Sequence, residues 1–311
     1  KLEEIKIDAI IVSSIYILKL CNERKYSFER HISTQESISN HLSIKFYESL
    51  NASRIVLARE VTLKDISNIS HNTNLDVEVF IHGSMCCSIS GRCMLSDYFM
   101  KKDANMGECL HPCRWQYMLF NPRKELISKD FLIGSKDMEN IKYVKSLINA
   151  NVSSLKVEGR MKSNYYVANV SKIYRKLIDE IYENKEIDYQ KYIHEISGSE
   201  GRSSTNGFIK GYTDHNDLIY EFSHTPIKNY IGMVLSYNSD NGLCLVERKN
   251  PFKTGDELCV MSFLGDDSII KVTRIYDENM NEVIEAKNTH SLYYIKVEMP
   301  LEKYQIIKKI S

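Results

Sequence analysis

At 311 residues the chain is long enough to bury a sizeable core and to hold about two domains. Its 43% apolar and 26% charged content is ordinary for a globular protein, and 41 basic residues balance 41 acidic ones. With no basic excess, binding to nucleic acid through bulk charge is excluded, and any such function must rest on local patches.

The chain begins at Lys1 and runs quickly into a strand-like segment, which reads as a truncated N-terminus. The first apolar run, Ala9 to Val12 and then Ile15 to Leu20, is broken by Ser13 and Ser14 and follows the acidic pair Glu3-Glu4. That pattern fits neither a signal peptide nor a membrane span. A cytoplasmic compartment with reduced thiols and no membrane partner is the expectation.

Through residues 1–183 short β-branched runs alternate with amphipathic helical stretches. Strands are expected at 8–12, 28–33, 54–58, 77–82, 131–134 and 154–157, with a helical pattern over 37–50. Asp137 reads as the N-cap of a helix through Leu147, and Ser163 as that of a long helix ending near Ile181. Such alternation implies an α/β fold with a parallel sheet. A doubly wound sheet would carry a glycine-rich phosphate loop, which is missing. A (β/α) TIM-like barrel, N-terminally truncated, needs none and expects polar residues just past its strand ends. Ser33-Thr34-Gln35, Arg59-Glu60, His82 and Glu158-Gly159-Arg160 answer to that. Residues 184–226 lose periodicity and read as a connector. From 227 to 311, short alternating runs separated by turn signals predict a small antiparallel β-barrel domain.

Five of the eight cysteines fall at 86, 87, 93, 109 and 113, in an irregular insertion spanning 84–117. From Cys86 the spacing is Cys-x6-Cys-x15-Cys-x3-Cys. Soft thiolates at such positions suit zinc, copper(I) or an iron–sulfur cluster. A gap of six is loose for structural zinc and acceptable for a cubane, so the spacing favours a cluster on Cys86, Cys93, Cys109 and Cys113 while leaving zinc open. Cys87 is read as a packing residue pointing elsewhere. Cys21, Cys244 and Cys259 sit in helix- or strand-like runs and read as buried apolar residues.

The segment from Glu78 through His82-Gly83-Ser84-Met85-Cys86, continued by Ser90-Gly91-Arg92-Cys93, resembles the signature of the collagenase-like peptidase family. Asn105-Met106-Gly107-Glu108-Cys109, Pro112-Cys113-Arg114-Trp115 and Lys156-Val157-Glu158-Gly159-Arg160 are similar to the downstream segments of that family. Asn250-Pro251-Phe252-Lys253-Thr254-Gly255-Asp256 resembles part of its C-terminal β-domain. For members of this arrangement the resemblance implies a [4Fe–4S] cluster and oxygen-independent 5-hydroxylation of wobble uridine in tRNA. Prephenate would be the co-substrate, and a second family member a further partner.

On that reading Arg59 and Arg160 would hold the two carboxylates of prephenate, with Gln35 beside them. Ion pairs with Glu60 or Glu158 are the plainer account of the two arginines. His82, Lys156 and Glu158 are the candidate catalytic residues, with His82 equally readable as a core histidine. Arg92, Arg114 and Trp115 would tune a cluster or pack the loop. For tRNA, local cations are Arg160, Lys162, Lys172, Arg175 and Lys176, then Arg248, Lys249 and Lys253.

The family name claims a peptidase, and that alternative has its own requirements. His194-Glu195 lacks the second histidine of a zinc protease motif, and no Gly-x-Ser-x-Gly elbow occurs. Cys86 or Cys93 with His82 as base would be the remaining nucleophile. A noncatalytic RNA-binding protein with a structural cluster is a third reading.

Overall fold

The computed structural model describes residues 1–199, 201–219, 227, 229–263, 265–288 and 291–310. It divides into two units: Lys1–Met161, Lys176–Tyr189 and Arg202–His224 form one, and Lys162–Arg175, Gln190–Gly201 and Thr225–Ser311 the other.

The first unit opens with three strand–helix repeats: β1 (Ala9–Val12), α1 (Ile15–Glu23), β2 (Glu29–Ile32), α2 (His41–Glu48), β3 (Arg54–Val56) and α3 (Leu63–His71). Each helix begins where a short polar side chain satisfies a free backbone N–H: Ser14 accepts from Ile17, Asn40 from Ser43 and Thr62 from Asp65. Each then buries a narrow stripe: Leu18 and Cys21, Ile44 and Tyr47, Ile66 and Ile69. The helical pattern expected over 37–50 thus starts later, because Ser37 takes a left-handed φ of 54° and Asn40 caps the helix.

Strand β4 (Asp76–Ser84) is the long central strand. After it come α4 (Leu95–Met100), the hairpin β5 (Tyr117–Phe120) and β6 (Leu126–Phe131), β7 (Asp137–Glu139), α5 (Val144–Asn149) and β8 (Ser154–Val157). Strands β1 to β4 pair in parallel in sequence order, and β8 joins β4 in parallel. The end of β4 instead pairs antiparallel with β7, Gly83 facing Met138 and Ser84 facing Asp137. α6 (Asn164–Tyr182), with Ser163 Oγ accepting from Tyr166 N, and α7 (Tyr189–Ser197) precede β9 (Ser204–Thr205), which lies parallel to β7; α8 (His215–Leu218) comes next.

The path β1-β2-β3-β4-β7-β9, with β8 attached to β4, does not close on itself among the described residues. The expected (β/α) barrel is therefore met by a mixed α/β sheet. Two local expectations change with it. Of the strand read at 131–134 just Phe131 is in a strand, the last residue of hairpin strand β6, which among the described residues pairs only with β5. Asp137 is no helix cap: it lies within β7 at 1% exposure. The stretch read as a connector carries α7, β9 and α8, with Tyr192, Ile196 and Ile209 buried.

In the second unit the strands are β10 (Tyr230–Asn238), β11 (Leu243–Arg248), β12 (Phe252–Lys253), β13 (Glu257–Val260), β14 (Ser268–Lys271), β15 (Arg274–Tyr276), β16 (Glu282–Val283), β17 (Glu285–Ala286), β18 (Leu292–Lys296) and β19 (Ile306–Lys309). Eight of them form an antiparallel sheet in the order β14-β13-β19-β10-β11-β18-β15-β16, and β12 pairs with β17. Alternate residues such as Val234, Val246, Val260, Ile275, Ile295 and Ile307 all enter one apolar core. Strands from opposite ends of the sheet share that core, so the sheet is curled into a half-barrel. Cys244 lies in this core, as read from the sequence. Among the described residues no helix is long and apolar enough to cross a membrane.

Candidate functional site

Because β2, β3, β4 and β8 run in parallel, their C-terminal ends open on one edge of the sheet. Four loops leave from that edge, carrying Thr34-Gln35, Arg59-Glu60, the cysteine insertion and Glu158-Gly159-Arg160. They enclose a cavity of about 260 Å³. Its walls include Cys86, Cys87, Cys93, Cys109 and Cys113, together with Gln35, Arg59, Glu158 and Arg160.

The insertion is tied down by a few polar contacts. Glu60 accepts from both the N–H and the hydroxyl of Ser90, each at 3.0 Å, and Ser90 Oγ in turn accepts from Arg59 N at 3.3 Å. Gln35 Nε2 donates to the Asn105 carbonyl at 2.8 Å, and Asn105 Nδ2 to that of Gly91 at 3.3 Å. The plainer sequence account of Arg59, an ion pair with Glu60, is thus replaced. Glu60 is engaged with Ser90, and the Arg59 guanidinium lies 3.9 Å from the Phe80 ring centroid, a cation–π contact that keeps its charge at the cavity.

Among the described residues Arg160 meets Glu158 through its backbone. The Glu158 carboxylate accepts from the Arg160 backbone N–H at 3.0 Å. The Glu158 loop lies so close to β4 that a Cβ on Gly83, whose φ is +112°, would stand 2.4 Å from the Glu158 carbonyl oxygen. Only glycine fits there.

Arg114 follows the last cysteine and reaches back to the sheet. It donates to Ser135 O at 2.5 Å, to Met85 O at 3.3 Å and to the buried Asp137 carboxylate at 3.3 Å, which Arg202 also approaches at 3.5 Å. Ser135 Oγ donates to Met85 O at 2.8 Å. The residue before Cys86 and the residue after Cys113 are thereby fastened to one another, and packing of the loop is what Arg114 provides.

Two candidate residues stand elsewhere. His82 is buried within β4 at 1% exposure and is not among the cavity walls. Lys156 Nζ lies 2.7 Å from Glu78, which Arg54 also approaches at 3.7 Å. Burial works against the Glu78 charge, but the hydrogen bond and charge of Lys156 hold its carboxyl below the usual range. Three of the cations read for RNA in the second unit are also committed: Lys172 pairs with Asp267, Lys249 lies 2.5 Å from Glu247, and Arg248 is 2% exposed, whereas Lys253 is exposed.

Sequence reasoning missed two cavity residues. Cys87 faces the same cavity as Cys86, and the neighbouring Cys113 thiol favours its ionised form, while Cys87 and burial push the Cys113 thiol up. A loop kink at the cysteine pair, unlike a strand, does not send neighbours to opposite sides. His111 also lines the cavity, its backbone left-handed at φ 55° just before Pro112. Burial first, and then the Arg114 charge, hold its imidazole below the ordinary value. Its place inside Cys109-x3-Cys113 was the available signal.

Soft thiols gathered from one irregular insertion are donors of the kind that zinc, copper(I) and iron–sulfur clusters take. No group of three or more His, Cys, Asp or Glu among the described residues closes around a single-ion position. The five thiols of the insertion all line the cavity.

Comparison with known proteins agrees with the residue pattern. The chain is 31% identical over 316 residues to tRNA hydroxylation protein P1 of Bacillus subtilis, which covers 97% of this chain and 74% of that protein. It is 28% identical over 309 residues to tRNA hydroxylation protein P of Escherichia coli, covering 83% and 68% respectively. The collagenase of Porphyromonas gingivalis is 29% identical over 282 residues, covering 83% and 66%. Residues 1–218 match Peptidase family U32 and residues 228–308 match the Peptidase family U32 C-terminal domain. With both parts matched, this chain belongs to peptidase family U32.

Proposed function

We propose that the chain is a cytoplasmic tRNA-modifying enzyme that performs oxygen-independent 5-hydroxylation of wobble uridine with prephenate as co-substrate. The observation that carries this reading is one cavity lined by Cys86, Cys93, Cys109 and Cys113 together with Arg59 and Arg160. The similarity to tRNA hydroxylation proteins supports the tRNA. The four cysteines would hold a [4Fe–4S] cluster, which supplies electron-transfer chemistry when bound. Arg59 and Arg160 carry no ion pair among the described residues, so two guanidinium groups are available to a dicarboxylate such as prephenate. Glu158 orients the loop bearing Arg160, and Gln35 is fixed by Asn105. His111, rather than His82, is the imidazole placed to exchange a proton at the cavity. Lys156 and Glu78 stabilise the sheet beneath it. A second family member would complete the assembly.

The peptidase reading is supported by the family name and by the Porphyromonas gingivalis relative. It asks for a thiol with a base beside it; His82, the base read from the sequence, is not at the cavity, whereas His111 lines it among the cysteines. The test is nucleoside mass spectrometry of tRNA from a strain lacking its own hydroxylase and expressing this chain. A rise in 5-hydroxyuridine that Cys93→Ser abolishes is expected. No rise, together with cleavage of collagen or casein that Cys93→Ser leaves intact, would overturn the proposal.

A further inference from the structure

The cysteine insertion exposes more apolar surface than its length requires. Tyr98 is 74% exposed, Phe99 44% and Trp115 39%, yet their rings are mutually arranged. Phe99 lies 5.2 Å from Tyr98 and 6.1 Å from both Trp115 and Tyr117, centroid to centroid. Beside them the hairpin β5–β6 pairs with no other strand among the described residues and leaves Met118 and Phe120 exposed. A lone two-stranded hairpin is marginal in water and gains from a partner.

The charges around these rings indicate which partner. Lys101 closes α4, Arg123 and Lys124 form the hairpin turn, and Lys129 lies on β6. None of these four has an acidic partner among the described residues. Of the acids nearby, Glu108 pairs with Lys102, while Glu125 and Asp103 accept hydrogen bonds from Asn121 and from Asn105 N and keep their charge. Asp97 and Asp130 remain. The surface therefore combines faces for stacking with unpaired cations, and it continues into the cavity, whose wall includes Leu95, Asn105 and Pro112 from the same insertion.

We infer that this aromatic, cation-bearing face of the insertion is the docking surface for the single-stranded loop of an RNA, with unpaired bases stacking on Tyr98 and Trp115 and phosphates meeting Lys101, Arg123 and Lys124. The inference rests on the tRNA reading above and deepens it. A base that must reach a side-chain cavity leaves its stack, and its neighbours need replacement surfaces. Aromatic rings supply these without selecting sequence, and cations track the backbone.

The test is fluorescence anisotropy with the full chain, purified without oxygen, and a labelled anticodon-type stem-loop RNA. The same stem closed as an uninterrupted duplex serves as the comparison. The stem-loop should bind more tightly than the duplex, and Tyr98→Ala should weaken stem-loop binding roughly 5- to 100-fold while leaving duplex binding unchanged. Arg123→Ala and Lys124→Ala, which disturb no apolar contact, should each lower the salt slope by about 0.7. If all three variants bind the stem-loop as the unsubstituted chain does, the surface is wrongly assigned while the tRNA reading stands. If the unsubstituted chain binds no RNA, the tRNA reading falls with it. A dimer in light scattering that Tyr98→Ala converts to monomer would assign the face to a second copy and overturn the inference.

Discussion

Replacing Gly83 with alanine tests how the Glu158 loop is seated against β4. The substitution has two costs. At φ +112° an L side chain is strained by about 1–3 kcal/mol. The new Cβ would also stand 2.4 Å from the Glu158 carbonyl oxygen and 2.9 Å from the Glu158 Cβ, so backbone has to move, at about 1–3 kcal/mol more. Gly211 separates the two terms. Its φ is +118°, it lies in the same unit, and nothing stands within 4 Å of a Cβ built there. Gly211→Ala should therefore cost only the backbone term. Trp115 is the single tryptophan and lies in that unit, so its fluorescence during urea unfolding reports on both variants. Gly83→Ala should be less stable than Gly211→Ala by about 1–3 kcal/mol. Equal losses would refute the close approach of the loop to β4.

The contacts around the cavity lead to three further expected outcomes. Arg114→Ala should cost about 2–4 kcal/mol and raise cysteine reactivity toward a thiol reagent, because Asp137 is buried and Met85 and Ser135 lose a shared donor. Arg114→Lys should recover little, since an ammonium cannot span three acceptors, and full recovery would contradict the strut. Glu78→Gln should cost about 1–3 kcal/mol at neutral pH. Its folded carboxyl is held below the usual 4.5, so its stabilisation is present above that value and is lost as pH falls through the lower folded value; acid titration of Glu78→Gln should lack that loss. Arg59→Ala and Arg160→Ala should each reduce tRNA modification about 10-fold or more with iron content unchanged, and unchanged modification would remove them from the substrate site.

The parts of the fold that were legible are those specified by local pattern. β1 to β4 and β8 follow β-branched runs, and Ser163 announces its helix. The strand ends then had to converge, which is why Gln35, Arg59, Glu158 and Arg160 could be named before any geometry was known. What escaped depends on distant partners. Asp137 looks like a cap beside a helical pattern, but Arg114 and Arg202, 23 and 65 residues away, place it in a strand. Lys156 alternates correctly for a site, yet Glu78, 78 residues away, takes its ammonium. His82 ends an expected strand, whereas β4 continues to Ser84 and buries it. Cys87 was set aside by the alternation rule of strands, which does not hold in the loop after β4.

The most direct test of the central claim is iron and acid-labile sulfide analysis of the chain purified without oxygen. The account predicts brown protein with about four irons and matching sulfide per chain. Serine at Cys86, Cys93, Cys109 or Cys113 should remove most of it, while Cys87→Ser keeps it. Stoichiometric zinc without sulfide, or full iron retained in all four serine variants, would contradict it.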